Sequence, residues 1–435
     1  MNKNPNQPRK FDAVLGGQAP PPVEGVVLGG IEGVKNRLQS TSVEVQVAAL
    51  SDALNYGEPG IDLIIETLYK SSDRVQDFAA RILRKNADSR VKEMVLDFDP
   101  WLAFTMMTNW SVEDFVPEVG ITDPLGTAYA LNVQLDYQAL NAEVQSLPSP
   151  LPFTEEEWRF KIKELEREQV IKNKKLQVFL QTSQSHQIQA LCCYYPSHCF
   201  LDLFVEAKDQ LSNIKAIFWG NPEDNPYKDC RYELTRNMSL ILEAYPTLEV
   251  LHIRGNASGD TYERLGSGLT FTPLQHDRLK TLIIETSSLF DLTIDQIVAL
   301  DLPNLEYLEL WLGHGNYDGY RLVLSISEQF PNLKYLGIRS CKNADEVARA
   351  LINSSLVQRL KVLDLSMGTM TILGVEHILK CFAVNKLHTL NVSMNVISNT
   401  EELDKLTCRV IAQPQDSKYG ERYNALDRYY NVSYE

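Results

Sequence analysis

Cysteine and histidine are the side chains of this sequence that most readily bind a metal ion, and three of the seven cysteines lie close together. They are Cys192, Cys193 and Cys199, with His198 beside them. Zinc sites are usually built from Cys-x-x-Cys or His-x3–5-His pairs, and this group has neither spacing. Cys193 also occupies a predicted inward strand position, where a small apolar thiol is common. We therefore expect no metal and no other cofactor.

Two segments invite comparison with phosphate-binding or catalytic motifs. The segment GGIEGVK (29–35) is rich in glycine and ends in lysine, but it lacks the Gly-Lys-Ser/Thr signature of a phosphate-binding loop. His314 lies in the polar segment GHGNYDGY, which is interpreted as a solvent-exposed turn rather than an active-site loop. The sequence contains no Gly-x-Ser-x-Gly elbow and no His-Glu-x-x-His helix. It therefore predicts a protein that is not an enzyme.

One apolar pattern recurs eight times from residue 188 onward and predicts the strands and helices of this part of the chain. In each copy an apolar residue is followed by others three and five positions later, as in Leu248, Leu251 and Ile253. The copies begin at Ile188, Ile214, Leu248, Leu279, Leu305, Leu333, Leu360 and Leu387. Apart from two lengthened units, their spacing matches the leucine-rich-repeat period of about 20–29. The sequence predicts an α/β fold, a leucine-rich-repeat solenoid with a parallel inner sheet and outer helices.

Each copy predicts one short strand whose alternate residues point inward, followed by a return segment on the outside. Residues 294–302, 345–354 and 374–383 are predicted return helices, and the Gly-rich segment 255–268 is predicted to be an extruded loop. A turn position follows each strand, and a polar side chain there can satisfy the local backbone. Its occupants are Asn256, Ser287, Gly313, Cys341, Gly368 and Asn395.

The strand-bearing half resembles a bacterial leucine-rich-repeat family over roughly residues 185 to 412. The segments DLPNLEYLELWLG (301–313), FPNLKYLGIRSCKNADEVARAL (330–351) and LKVLDLSMGTMTILGVEHIL (360–379) carry this resemblance. The resemblance implies the fold and a role in macromolecular interaction. It implies no particular activity.

The N-terminal part carries a second, helical repeat. Two amphipathic segments, EVQVAALSDAL (44–54) and RVQDFAARILR (74–84), align so that Gln46 matches Gln76 and Ala49 matches Ala79. A helix pair that recurs at this interval is typical of an α-solenoid, because one pair alone cannot bury its apolar face. The pattern resembles HEAT repeats, which implies a small all-α module ahead of the strands.

These patterns divide the chain into five segments. A Gly/Pro-rich leader covers 1–30 and the HEAT-like α-solenoid covers 31–98. A connector that also caps the next array covers 99–182, and its aromatic and turn residues predict no particular fold. The leucine-rich-repeat domain covers 183–412, and a Tyr-rich tail covers 413–435.

Residues between the inward positions of each strand are predicted to face a concave surface on which a partner binds. Many of them are aromatic or arginine, the types that are enriched at binding hot spots. The predicted partner-binding residues are Tyr194, Phe218, His252, Arg254, Glu285, Tyr307, Glu309, Trp311, Tyr335 and Arg339. The alternative interpretation is that the aromatic side chains fill the sheet surface or lie under inserted loops.

Composition restricts the partners and the location. A net charge of −15 and a pI near 5.1 disfavour nucleic acid as the partner. No run of about 18 apolar residues occurs, so we expect no membrane span. The segment MNKNPNQPRKFDAV lacks the apolar region of an export signal, and the thinly spread cysteines indicate a reducing cytoplasm.

The sequence as a whole predicts a non-catalytic scaffold or adaptor that binds a protein partner. The alternative is an accessory subunit of a protein-modifying, lyase-like enzyme, because HEAT-like helices also occur in chromophore-attaching lyases. The sequence shows no nucleophile or acid–base set for that alternative.

Overall fold

The computed structural model describes residues 30–71, 73–86, 88–99, 109–145, 161, 164–169, 174–222, 237–255, 268–286, 288–313, 317–352 and 354–415. The predicted leader up to residue 29, most of the predicted extruded loop and the tail beyond residue 415 lie outside these residues, as do Asn256, Ser287 and His314. The chain forms two compact units, Met1–Ser111 and Val112–Glu435, which are described separately.

Between residues 30 and 99 the regular secondary structure of the first unit is helical. Its α-helices are α1 (Gly30–Leu38), α2 (Val43–Ala53), α3 (Glu58–Lys70), α4 (Asp73–Arg84) and α5 (Ser89–Phe98). The side chain of Ser42 accepts a hydrogen bond from the backbone N–H of Val45 at the start of α2, and Asp88 does the same for Arg90 at the start of α5. Both are helix N-caps, which satisfy backbone donors that have no partner within the helix.

The helical repeat of the sequence corresponds to a repeated contact in this unit. The Gln46 amide donates to the Leu38 carbonyl at 3.0 Å, and the Gln76 amide donates to the Leu68 carbonyl at 3.1 Å. Both contacts join the second helix of a pair to the last turn of the first, at equivalent positions of the two pairs. The segment GGIEGVK (29–35), which lacks a phosphate-loop signature, ends inside α1, where Val34 is fully buried.

Gly60 determines how closely the helices of this unit approach. A Cβ atom at this position would lie only 1.8 Å from the backbone oxygen of Ala53, the last residue of α2. Any side chain would therefore force α3 away from α2. The buried apolar residues of all five helices form one core.

The second unit contains one sheet, which has 11 strands within the described residues and runs in chain order. Every neighbouring pair from the second strand to the last is parallel. The strands are β1 (Ser111–Asp114, which begins at the unit boundary), β2 (Thr127–Asn132), β3 (Ala190–Tyr194), β4 (Ala216–Gly220), β5 (Val250–Arg254), β6 (Thr281–Glu285), β7 (Tyr307–Gly313), β8 (Tyr335–Cys341), β9 (Val362–Asp364), β10 (Thr389–Asn391) and β11 (Arg409–Ile411).

Helices lie between the strands, and most of them pack against one side of the sheet. They are α6 (Tyr137–Gln145), α7 (Lys175–Gln181), α8 (His198–Glu206), α9 (Ser239–Ala244), α10 (Asp291–Val298), α11 (Gly319–Gln329), α12 (Ala344–Leu351) and α13 (Ile372–Lys380). The predicted return helices correspond to α10, α12 and α13, each of which starts slightly earlier than predicted. Short 3-10 turns complete several repeats.

The eight predicted repeat strands are confirmed as β3 to β10, and their inward residues form the core. Leu251, Leu282, Leu308, Leu336 and Leu363 occupy the same register position on successive strands, and all five are fully buried. They pack against apolar residues of the helices. The mixed α/β architecture with an open parallel sheet thus follows from the apolar spacing.

The strand-bearing unit begins before the predicted boundary at residue 183. Ala128 of β2 pairs with Ala190 of β3, which places Tyr129 and Leu131 in the same core as the repeat leucines. The sequence pattern was hard to recognise here because tyrosine replaces the usual leucine and Gly126 stands shortly before it. The segment interpreted as a connector therefore supplies strands of the sheet itself.

The turn position after the strands satisfies backbone groups as predicted where the structure describes a polar residue. The Asn395 amide donates to the carbonyls of Leu365 and Val392, and its oxygen accepts from the Met370 N–H. Gly313 has a φ of 55°, in the left-handed region that glycine tolerates best.

Candidate functional site

All ten predicted partner-binding residues lie on the sheet face opposite the inward leucines. We call this the second face and define it by the side chains that alternate with the inward residues in β3 to β10. Register pairing brings the predicted residues together across strands: Phe218 pairs with His252, Arg254 with Glu285, Tyr307 with Tyr335, and Trp311 with Arg339. Parallel neighbours lie about 4.8 Å apart, so these side chains contact one another.

The second face is much more buried than the sequence suggested. Tyr335 is fully buried, and Phe218, Glu285, Tyr307, Glu309 and Trp311 are each less than 9% exposed. Tyr194, His252, Arg254 and Arg339 are half-buried. The reason is that long side chains on adjacent strands cover each other and form hydrogen bonds among themselves, in two clusters.

The first cluster centres on Glu285 of β6. The His252 ring nitrogen Nε2 lies 2.9 Å from one carboxylate oxygen, and Arg254 Nε donates to the other at 2.5 Å. Burial favours the neutral acid, but the electrostatic and hydrogen-bond interactions with His252 and Arg254 outweigh it and hold the pKa of Glu285 far below its usual range. Glu285 is therefore ionised at neutral pH.

Aromatic rings border this first cluster. The Phe218 ring meets the His252 ring edge to face at 4.8 Å, and Tyr194 meets Phe218 in the same manner at 5.9 Å. The Arg254 guanidinium lies 5.5 Å from the Phe218 ring, a cation–π contact. Tyr194 of β3, Gly220 of β4 and Arg254 of β5 share one register position. A Cβ atom at Gly220 would lie 1.9 Å from the Arg254 carbonyl oxygen.

The second cluster centres on Glu309 of β7, whose carboxylate accepts hydrogen bonds from four side chains. The Tyr307 hydroxyl donates at 2.5 Å, the Trp311 indole at 2.7 Å, Arg339 at 2.9 Å and the Tyr335 hydroxyl at 3.3 Å. The Tyr307 and Tyr335 rings stack with centroids 3.9 Å apart. A carboxylate with this many donors is held rigidly.

Arg339 joins this second cluster to the next strands. Its guanidinium stacks 4.5 Å above the Trp311 ring, donates to Ser366 Oγ at 3.2 Å and lies 3.8 Å from a carboxylate oxygen of Asp364. Burial would lower the pKa of Arg339, but Glu309 and Asp364 raise it overall. Burial also raises the pKa values of Tyr307 and Tyr335, so both act as neutral donors.

A row of charged residues borders the second face, and sequence reasoning missed it. These residues immediately precede the first second-face residue of each strand, and successive members are joined by backbone hydrogen bonds from N–H to carbonyl of 2.7 to 2.9 Å. We call this the charged row, and its members are Lys215, Glu249, Lys280, Glu306, Lys334, Lys361 and His388. The signal was in the sequence: the residue after the first apolar position of each repeat alternates in charge from 215 to 334.

The cysteines near residue 193 are buried thiols. Cys192, Cys193 and Cys199 are each less than 9% exposed, and burial raises the pKa of Cys192 to about 12. Such thiols are protonated and unreactive at neutral pH. Across the part of the chain that the structure describes, no group of three or more histidine, cysteine or acidic residues is arranged to hold a metal ion.

Comparisons with known proteins find only limited similarity. No family model and no curated protein sequence matches the chain. A solved protein of Bacteroides fragilis is 25% identical, with a TM-score of 0.45, over 53% of this chain and 67% of that one. An internalin of Listeria monocytogenes is 16% identical, with a TM-score of 0.28, over 55% of this chain and 70% of that one. Both TM-scores are below 0.5, so the fold assignment rests on the strands and their pairing.

One further observation concerns membranes. Among the described residues, no helix has the length and apolar character needed to cross a bilayer.

Proposed function

We propose that the protein is a non-catalytic scaffold that binds another protein on the second face of its sheet. The observation that carries this proposal is the array of aromatic, arginine and glutamate side chains that interact across six adjacent strands, β3 to β8. These residue types dominate binding hot spots. An open sheet lets a partner extend along several strands at once.

The two clusters support this role because they fix the side chains before a partner arrives. Binding normally costs about 0.5–1.5 kcal/mol for each flexible side chain that must be ordered. Arg339 is already held by Glu309, Trp311 and Ser366, and Arg254 is already held by Glu285. Tyr194, His252, Arg254 and Arg339 are the half-buried members, and we propose that they make the contacts.

We also propose a cytoplasmic location. Within the described residues all six cysteines are free thiols, including the neighbours Cys192 and Cys193. A reducing compartment keeps thiols in this state, whereas secreted domains of this kind commonly use disulfides.

The test is affinity capture from the native host with quantitative mass spectrometry. The variant Tyr194→Arg/Ser393→Arg places bulky charges at the two ends of the second face. Tyr194 lies on β3, Ser393 continues the alternation two residues after Asn391 of β10, and both are half-buried. The matched control, Leu292→Arg/Leu373→Arg, places the same charges on exposed positions of α10 and α13. We expect one protein to be enriched by wild type and by the control and lost with the second-face variant.

Two results would contradict the proposal. An identical catch with all three proteins, each shown to be folded by circular dichroism, would remove the second face as the binding site. A tetrapyrrole-like visible absorbance band in protein purified from the native host would instead favour the lyase-related alternative.

A further inference from the structure

The charged row changes character between its two ends. From Lys215 to Lys334 positive and negative side chains alternate on successive strands. Lys280 pairs with Glu249 at 2.8 Å, and Lys334 pairs with Glu306 at 2.7 Å. Beyond Lys334 the alternation stops, because the next two positions are Lys361 and His388 rather than an acid and a base.

Lys361 is the residue that breaks the pattern. Its backbone N–H donates to the Lys334 carbonyl at 2.7 Å, and its own carbonyl accepts from His388 at 2.9 Å, so the three side chains leave adjacent strands. Lys361 is exposed and forms no ion pair with any residue that the structure describes. Like charges directly opposite each other destabilise a sheet. Lys334 has Glu306 as its partner, whereas Lys361 lies between Lys334 and His388 in the row, with no acidic residue on either side.

We propose that this lysine end of the charged row, Lys334 and Lys361 with His388 beside them, binds an acidic, extended segment of a partner protein. A carboxylate of that segment would take the place that Glu249 and Glu306 hold in the paired part of the row, between two cations. The inference rests on the proposed protein-binding role of the adjoining second face and specifies the chemistry of the partner. A nucleic acid fits less well, because the two lysines are not followed by a longer run of cations that could track a phosphate backbone.

The experiment measures fluorescence anisotropy of a fluorescein-labelled synthetic peptide of alternating glutamate and serine with the full chain. The test variant is Lys361→Glu, which would complete the alternation of charges along the row. We expect it to weaken peptide binding by roughly tenfold at low ionic strength, with the difference shrinking as salt is added. We also expect its unfolding midpoint to rise by about 1 °C, so weaker binding is not a sign of unfolding.

The matched control is Lys280→Glu in the same row. This change removes the ion pair with Glu249 and places three acidic side chains on adjacent strands, Glu249, the new glutamate and Glu306. It should lower the unfolding midpoint. At about 0.15 M salt it should leave the peptide affinity within roughly twofold, because Lys280 lies two strands, roughly 10 Å, from Lys334 and the Debye length is then about 8 Å.

Several results would overturn the inference. They are equal peptide affinity of wild type and Lys361→Glu, an equal loss with Lys280→Glu, and tighter binding of a single-stranded RNA of the same charge as the peptide. Concentration-dependent dimerisation that Lys361→Glu abolishes would assign the site to a second copy of this chain instead. Because the peptide is synthetic, these outcomes are independent of host capture: a partner still lost with Tyr194→Arg/Ser393→Arg would leave the proposed function standing.

Discussion

Along β7, Leu308 and Leu310 point toward the helices, whereas Glu309 and Trp311 point to the opposite side. At the register position of Leu308 the neighbouring strands carry Leu282 and Leu336, so the inner face repeats one residue type. At the position of Glu309 they carry Ile283 and Gly337. The inner face is stabilised by close packing of apolar side chains, whereas the second face is stabilised by hydrogen bonds between specific donors and acceptors.

This difference predicts opposite responses to conservative substitution. The inner face should tolerate a change of shape at constant volume, because the surrounding core is apolar throughout. The second face should not tolerate a change of charge at constant shape, because a buried group that loses its partner incurs the full cost of desolvation.

The largest effect is expected for Glu309→Leu. Tyr307, Trp311 and Arg339 lose their acceptor, and Arg339 keeps a largely buried charge, so we expect the sheet unit to lose about 3–5 kcal/mol. Hydrogen exchange of peptides from β7 and β8 would localise the loss. In the double variant Glu309→Leu/Arg339→Met much of the stability should return, because no unpaired charge remains. If the losses of the two single variants simply added, the unpaired Arg339 charge would not be the cause of the instability.

The inner face gives the next effect. Leu310→Ala removes a fully buried side chain and should cost about 2–5 kcal/mol in urea denaturation followed by hydrogen exchange. Leu310→Met keeps the volume and should cost less than about 1.5 kcal/mol. If the methionine variant were as unstable as Glu309→Leu, the contrast between the two faces would not hold.

Glu285→Gln tests the first cluster at constant shape. We expect a loss of about 1–3 kcal/mol at neutral pH, because the amide cannot balance the charge of Arg254. The folded pKa of Glu285 is depressed, so the advantage of wild type is complete above its usual pKa of 4.5 and falls as the pH drops below that value. Denaturation at a series of pH values measures this difference. An advantage that grew in acid would contradict the ionised assignment.

The smallest effect belongs to the charged row. Lys280→Ala removes an ion pair in which the lysine side chain is 40% exposed, and we expect a loss of about 0.2–1 kcal/mol. Thermal unfolding at low and high salt should show the difference diminishing as salt increases. A loss of stability as large as that of Glu285→Gln would show that ion pairs of the charged row contribute as much as the buried clusters.

The regular parts of the molecule could be predicted from the sequence, because a repeated spacing reports which side of a strand a residue faces. It located β3 to β10, the inward leucines and the common face of all ten selected residues. It did not reveal β2, where Tyr129 stands in a leucine position, or the charged row, whose members lie outside the alternating positions of the strands. It could not predict the burial of Tyr335 or Glu309, since spacing does not show which long side chains reach each other across strands.

Each strand from β2 to β11 is paired with the strand that precedes it in the chain, so every pairing joins consecutive strands. During synthesis a completed strand can therefore serve as the template for the next one to leave the ribosome. At usual translation speeds one repeat is made in roughly one to five seconds. The sheet can assemble in step with translation, with a single growing edge exposed to chaperones or to wrong partners at any moment.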